Sequence, residues 1–249
     1  MNLNVEKNLR NFFDKHFWGQ HPEAALRYGP VVSEIKKAKL QNSKILEIGS
    51  GSLGITPYFK KKIDGVDIDF AGPKSVYLNK IKGSGSKLPF RKNTYDVSIS
   101  VDVLEHIVPT DREKAIFEMM RVTKKLAIIV VPCGEGAEEQ DRQLNMYWQK
   151  LMKSKNKFLT EHVENGLPKI DETLVYIDRA KRLLNKNATV TSYPNLNLFV
   201  RNILMKTWIT NSKYIYYLYL KGYLFAVPIL KFFNFSKAYR RVFVIKFAY

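Results

Sequence analysis

The chain has 249 residues, of which 45% are apolar, so it can bury a full hydrophobic core. Its formal net charge is +18, from 41 Lys and Arg against 23 Asp and Glu. The one cysteine, Cys133, excludes an internal disulfide framework and a cysteine-based zinc site. Because no apolar run follows a basic N-terminal stretch, we expect no signal peptide and a reducing, cytoplasmic setting.

The first 40 residues favour helices. Apolar side chains recur at helical spacing over residues 3–17, and a second helical pattern covers residues 23–40. Gly19 and Pro22 interrupt the two patterns. We therefore predict an N-terminal helical cap over residues 1–40.

The segment 44–54, KILEIGSGSLG, joins an apolar strand pattern containing Glu47 to a glycine-rich turn. The turn contains Gly49, Gly51 and Gly54. Because glycine has no Cβ, the backbone of such a turn can lie close to a ligand. A second strand pattern, 63–68, brings Asp67 to its end, 18 positions after Gly49. A carboxylate at an offset of about 20 residues can bind a ribose hydroxyl, so these residues predict a nucleoside-binding βαβ unit.

Strand and helix patterns alternate along the rest of the chain. Further strand patterns lie at 81–84, 95–100, 125–131, 188–193 and 239–248, and helix patterns at 111–121, 138–158 and 171–185. Thr110 and Glu113 form a capping-box pattern at the start of the first of these helices. The alternation predicts an α/β fold with a doubly wound, mostly parallel sheet, which binds ligands outside the carboxyl ends of its strands.

The C-terminal part of the chain is basic and aromatic. No Asp or Glu follows Asp178, residues 179–249 hold 13 Lys and Arg, and half of the aromatic residues lie from Tyr193 onward. The longest uncharged run within 195–236 has nine residues, far fewer than the about 20 that span a membrane. We expect this segment to bind an anionic partner, a membrane surface or nucleic acid; the alternative is a helical cap whose aromatic residues form ordinary core.

Three segments follow the glycine turn in a characteristic order: SKLPF at 86–90, TYDVSISVDVLEH at 94–106 and EMMRVTKKLAIIVVPCG at 118–134. Together with the turn and Asp67, residues 40–135 resemble the class I S-adenosylmethionine-dependent methyltransferases, especially the subgroup that includes the quinone-biosynthesis methyltransferases. The resemblance implies a seven-stranded sheet whose last strand runs antiparallel. It also implies transfer of a methyl group from S-adenosylmethionine to a small-molecule, glycan or lipid-linked acceptor, by O-methylation.

The resemblance further implies a cofactor site at the strand ends. Glu47 and the turn backbone would hold the methionine part of the cofactor. Asp67 would bind the ribose, with Asp69 as the alternative for this role. Ile68 would pack on the adenine. The other expected cofactor neighbours are Gly49, Ser50, Gly51, Ser84, Ser86, Lys87, Leu88, Ser100, Val101 and Asp102. Many relatives carry an Asp where this chain has Ser84, so the adenine contact differs here.

His106 is the predicted catalytic base, because it follows the fourth strand and imidazole titrates near neutral pH. Alternatively, Glu105 and His106 only hold their loop by hydrogen bonds. His162, beside Glu161, is a second candidate for the base. The four histidines, His16, His21, His106 and His162, show no ligand spacing along the sequence, so we predict no metal site.

We predict one domain over residues 1–249. Its parts are the cap at 1–40, a cofactor-binding core at 41–134, a helical lid at 135–187, and the last two strands at 188–249, which enclose a helical insertion at 195–236. The protein would be cytoplasmic and peripheral at the inner face of the membrane. Two other functions remain: an RNA methyltransferase whose basic segment binds phosphates and stacks on bases, and a non-catalytic protein with the cofactor fold.

Overall fold

A computed structural model of the chain describes residues 11–248 apart from Asp14, Phe235 and Ser236. The helix expected over residues 3–17 therefore lies largely outside the described residues. Seven strands form one sheet in the described part of the chain: β1 (Ile45–Ile48), β2 (Ile63–Asp67), β3 (Leu78–Lys82), β4 (Tyr95–Val101), β5 (Thr123–Pro132), β6 (Ala188–Asn197) and β7 (Ala238–Phe247).

The order of the strands across the sheet is β3-β2-β1-β4-β5-β7-β6. Strands β1 to β5 pair in parallel, whereas β7 runs antiparallel to both β5 and β6. The predicted α/β fold, with a mostly parallel seven-stranded sheet and an antiparallel last strand, is confirmed.

Helices connect the strands and cover both faces of the sheet. They are α1 (Pro22–Lys37), α2 (Thr56–Phe59), α3 (Pro109–Val122), α4 (Glu135–Met152), α5 (Lys157–Asn165), α6 (Ile170–Leu184), α7 (Leu198–Trp208), α8 (Lys213–Tyr217) and α9 (Tyr223–Leu230). A 3₁₀ turn, Leu104–His106, follows β4, and a π-helical turn, Leu218–Gly222, joins α8 to α9.

Two sequence predictions about helix ends are wrong. The helix expected over 138–158 is two helices, because Lys153 ends α4 in the left-handed region at φ 53° and the Asn156 side chain caps α5. The capping box expected at Thr110 and Glu113 does not form. Helix α3 already begins at Pro109, whose fixed φ suits the first helical position, and no side chain caps it.

The core determines where ligands can bind. Strand β1 is buried at every position, as expected of a central parallel strand. Helices α3 and α6 contribute Ile116 and Ile177 to the core on one face, and α1 contributes Val31 and Ile35 to the core on the other. Both faces are thus closed, which leaves the carboxyl ends of β1, β2 and β4 as the edge open to a ligand.

The C-terminal helices form a separate small core. Leu26 of α1 packs with Val200 and Leu204 of α7 and with Tyr219 of the π-helical turn. The alternative expectation, that the aromatic residues of this segment form ordinary core, therefore holds for Tyr219. It does not hold for the many aromatic side chains that stay exposed. A search of the described residues finds no helix whose length and apolar character would let it cross a membrane.

Candidate active site

The glycine turn after β1 requires glycine at two positions. Gly49 has φ +71°, and a Cβ there would lie 2.3 Å from Val103 Cγ2. At Gly54, φ is +52° and a Cβ would lie 2.1 Å from Glu47 Oε2. Gly51 also has a positive φ, +53°, but no atom lies within 4 Å of a Cβ built there. The turn is therefore tightly packed on one side and open at Gly51, where a ligand can approach the backbone.

Glu47 is fully buried beneath this turn. One carboxylate oxygen accepts a hydrogen bond from the Tyr28 hydroxyl at 2.8 Å, and the other accepts one from the Ile55 N–H at 2.7 Å. Burial raises the pKa of Glu47 to about 7, although both hydrogen bonds act in the opposite direction. Glu47 thus joins α1 to the turn, while its predicted contact with a methionine amino group stays a prediction.

Asp67 lies at the end of β2, beside the glycine turn. Its Oδ2 accepts a hydrogen bond from the Gly51 N–H at 2.7 Å, and its Oδ1 accepts one from the Asp69 N–H at 3.1 Å. Asp69 instead caps the loop by accepting from the Ala71 N–H. The next side chain, Ile68, is 71% exposed. The structure therefore places the carboxylate of Asp67, rather than that of Asp69, against the open part of the turn.

The segment after β3 lies alongside Asp67, because the Gly83 N–H donates to the Asp67 carbonyl at 3.0 Å. The hydroxyls of Ser84 and Ser86 are 3.1 Å apart. Lys87 is exposed, and Leu88 is buried in the core with its N–H donating to Glu118. The exposed Ser84 and the half-buried Ser86 thus offer hydroxyl groups to a ring bound beyond Ile68.

The end of β4 carries a largely buried group of four charges. Ser100 and Val101 are buried, and Asp102 follows them with φ 52°. The Asp102 carboxylate accepts from Arg27 at 2.8 Å and from Arg240 Nε at 2.7 Å. Burial alone would raise the pKa of Asp102, but the two arginines hold it well below its usual range.

Arg240 also bonds to the buried Glu23, which completes the group. Sequence reasoning found Asp102 but missed Glu23, Arg27 and Arg240. One signal was present: an arginine in a strand rich in apolar residues needs a partner where its side chain is buried.

A second polar group, the histidine cluster, consists of Glu105, His106, Asp141, Glu161 and His162. His106 Nδ1 lies 2.8 Å from Glu161, and His162 Nδ1 lies 2.8 Å from Asp141. The two Nε2 atoms are 3.4 Å apart. The two histidines that the sequence offered as separate candidates for the base thus lie side by side. Sequence reasoning missed Asp141.

The surroundings of the cluster hold it in place. Asp141 also accepts from Arg201 at 2.7 Å and from the Tyr239 hydroxyl at 2.8 Å.

Burial and the neighbouring His162 lower the pKa of His106, so its ring is neutral near pH 7. Glu105 is fully buried, and neither of its carboxylate oxygens has a hydrogen-bond partner in another described residue.

The sheet order, the glycine turn and the acidic end of β2 define a class I, Rossmann-like fold with a nucleoside site. A family model described as a methyltransferase domain matches residues 46–131. This domain supports S-adenosylmethionine-dependent methyltransferase activity, with S-adenosylmethionine as the methyl donor. The open backbone at Gly51 and the carboxylate of Asp67 fit such a cofactor.

Comparison with solved structures finds similarity at low sequence identity. A SAM-dependent methyltransferase of Thermotoga maritima, described as a possible histamine N-methyltransferase, is 14% identical, with a TM-score of 0.50 over 98% of this chain and 99% of that chain. The YcgJ protein of Bacillus subtilis is also 14% identical, with a TM-score of 0.48 over 88% of this chain and 98% of that chain. No curated protein sequence matches this chain.

Proposed function

We propose that this enzyme methylates an oxygen atom of a small-molecule, glycan or lipid-linked acceptor, and that His106 promotes loss of the acceptor's proton. The observation that carries the proposal is the placement of His106 directly after β4, with Nδ1 held by Glu161 at 2.8 Å. Its side chain is 27% exposed, so an acceptor can reach the ring. A hydroxyl nucleophile needs such a group, because it attacks well only as it loses its proton.

The residues at the strand ends would divide the work. S-adenosylmethionine, when bound, supplies the methyl group, and its sulfur leaves as a neutral thioether. Asp67 and the turn around Gly51 would hold the ribose and methionine parts. Ser84 and Ser86 would contact the adenine. The protein then has to place the acceptor oxygen behind the methyl group and keep water out, which is mainly a matter of position.

The acceptor can be sought directly with radiolabelled S-adenosylmethionine. The cofactor and the purified enzyme are added together to a membrane extract and, in a separate reaction, to a soluble extract. The labelled product is then isolated from each. Label in the lipid or glycolipid fraction, or in a small molecule, supports the proposal, whereas label confined to RNA supports the second candidate function. Label that is stable to mild alkali would further favour an ether over an ester.

Asp67→Ala should weaken binding of S-adenosylhomocysteine, the demethylated cofactor, by about 1.5–3 kcal/mol, because the ribose hydroxyls lose a charged hydrogen-bond acceptor. Isothermal titration calorimetry measures the change. Asp69→Ala is the matched control, since Asp69 caps its own loop and should leave the affinity unchanged. An unchanged affinity in Asp67→Ala together with a loss in Asp69→Ala would assign the ribose to Asp69.

We also propose that residues 195–236 attach the enzyme to an anionic membrane surface. In this segment Tyr214, Phe225, Ile229 and Phe232 are 58–90% exposed. Lys206, Lys213 and Lys231 are exposed among them, and Lys221 is half-buried. Exposed aromatic and basic side chains with no acidic residue suit an interface of lipid headgroups.

The wild-type enzyme should therefore sediment with vesicles that contain anionic lipid at low salt, and high salt should release it. Each lysine near such a surface contributes about 1 kcal/mol, so replacing Lys206, Lys213, Lys221 and Lys231 by glutamine should abolish sedimentation. The matched control replaces four exposed lysines outside the segment, Lys62, Lys74, Lys124 and Lys169, and should sediment like wild type. If wild type ignores the vesicles but binds RNA tightly in the same buffer, the RNA methyltransferase becomes the better proposal.

A further inference from the structure

The two imidazole rings of the histidine cluster face each other in an unusual way. Each Nδ1 lies 2.8 Å from a carboxylate oxygen, of Glu161 for His106 and of Asp141 for His162. An ionised carboxylate only accepts hydrogen bonds, so each Nδ1 carries the hydrogen. In the neutral rings both Nε2 atoms then present lone pairs, and these atoms are 3.4 Å apart. Two lone pairs at this distance repel unless a positive group lies between them.

This separation is the one that a metal ion imposes on two of its ligands. Imidazole nitrogens bind zinc at about 2.0–2.1 Å in tetrahedral geometry, which places two such nitrogens about 3.3–3.4 Å apart. Imidazoles that bind metals usually donate their other N–H to a carboxylate, which fixes the tautomer and the ring orientation. Glu161 and Asp141 already make these contacts with His106 and His162.

The carboxyl group of Glu105 lies near both histidines. One oxygen of its carboxyl group and one ring nitrogen of each histidine all lie within 4.8 Å of one another. The Glu105 side chain is fully buried, and neither oxygen has a hydrogen-bond partner in another described residue. Burying an ionised carboxylate without a partner costs several kcal/mol, and a bound cation would offset that cost.

We propose that Nε2 of His106, Nε2 of His162 and the carboxylate of Glu105 bind one divalent transition-metal ion, for which zinc is the best match. Two imidazoles and one carboxylate suit such an ion and leave a coordination position free. The sequence alone predicted no metal, because the two histidines are 56 positions apart. Their proximity arises only when the 3₁₀ turn after β4 packs against α5.

The role of the ion rests on the proposed function. The acceptor hydroxyl would occupy the free position, where the ion lowers its pKa so that its proton passes to solvent water. The acceptor oxygen then forms its bond to the methyl carbon as the bond from that carbon to sulfur breaks, and the electron pair of that bond stays on the sulfur. His106 promotes ionisation of the hydroxyl in this scheme by holding the ion, and its own Nε2 takes up no proton.

The direct test is calorimetric titration of the metal-free, full-length enzyme with Zn²⁺. We expect one ion per chain in the wild type and at least about 100-fold weaker binding in His162→Ala and in Glu105→Gln, each of which removes a ligand. Co²⁺ should give visible absorption bands in the wild type that both variants lack. His16→Ala is the control, because this exposed histidine lies outside the cluster and should leave binding unchanged.

Thermal unfolding keeps the test decisive if His162→Ala folds poorly. Glu105→Gln removes a buried charge and should fold, so Zn²⁺ should raise the melting temperature of the wild type but not of this variant. The proposal is overturned if the wild type does not bind Zn²⁺ stoichiometrically, or if both variants still bind it. In that case the two rings would share a proton instead. Asp67→Ala should bind Zn²⁺ like the wild type, so failure of the metal site and failure of the cofactor site give different results.

Discussion

Replacing Arg240 by methionine should lower the free energy of unfolding by about 3–5 kcal/mol, the usual effect of removing one member of a buried ion pair. The Arg240 side chain is 3% exposed and bonds to both Asp102 and Glu23. Methionine fills a similar volume, so the loss would come from two buried carboxylates left with only Arg27 as a cation. Urea unfolding followed by circular dichroism measures the change.

Lys246→Met is the matched control for this variant. Lys246 lies on the same strand, β7, but it is exposed, so its replacement should change the free energy of unfolding by less than about 0.5 kcal/mol. A second variant, Arg240→Met with Asp102→Asn and Glu23→Gln, removes the unpaired charges as well and should recover part of the lost stability. A loss below about 1 kcal/mol in Arg240→Met would show that water, rather than Arg240, compensates the two carboxylates.

The four charged residues at the end of β4 also show why part of the site could not be predicted from the sequence. Asp102 was found because it ends a strand next to the glycine turn, and the ends of parallel strands meet at one edge. Arg27 and Arg240 reach Asp102 from α1 and from β7, across 75 and 138 positions of sequence. No local period connects residues so far apart, so only the packed structure brings them together.

The sheet was predictable for the opposite reason. Strand β5 contains a continuous apolar run, and β1 is apolar apart from Glu47, a pattern typical of buried parallel strands. The break between α4 and α5 was not predictable, because Lys153 adopts a left-handed conformation that lysine rarely takes. Helix ends depend on such single residues, whereas strand positions depend on several residues at once.

The placement of the histidine cluster depends on that break. Because the chain turns at residues 153–156, α5 packs beside the 3₁₀ turn and brings Glu161 and His162 to His106. One continuous helix over 138–158 would have left TEHVENGLP, residues 160–168, as a loop with no defined relation to β4. The local error about the helix therefore hid the main relation between the two candidate bases.

His106→Ala should reduce turnover by about 10²–10⁴-fold, the range for loss of a group that assists proton removal. The affinity for S-adenosylhomocysteine should stay the same, because Asp67 and the glycine turn lie on other strands. The initial rate of transfer of radiolabelled methyl to the acceptor fraction of the extract measures turnover, and calorimetry measures affinity. His16→Ala, an exposed histidine outside the cluster, should match the wild type in both measurements.

Comparison with His162→Ala separates the two ways in which His106 could act. If His106 and His162 hold one ion, both variants should lose turnover by a similar factor and both should lose Zn²⁺ binding. If Nε2 of His106 itself takes the acceptor's proton, His106→Ala should be far slower than His162→Ala, because His162 then only orients its neighbour. Turnover within a few-fold of wild type in His106→Ala would place the base elsewhere, and a large loss in His162→Ala alone would assign it to His162.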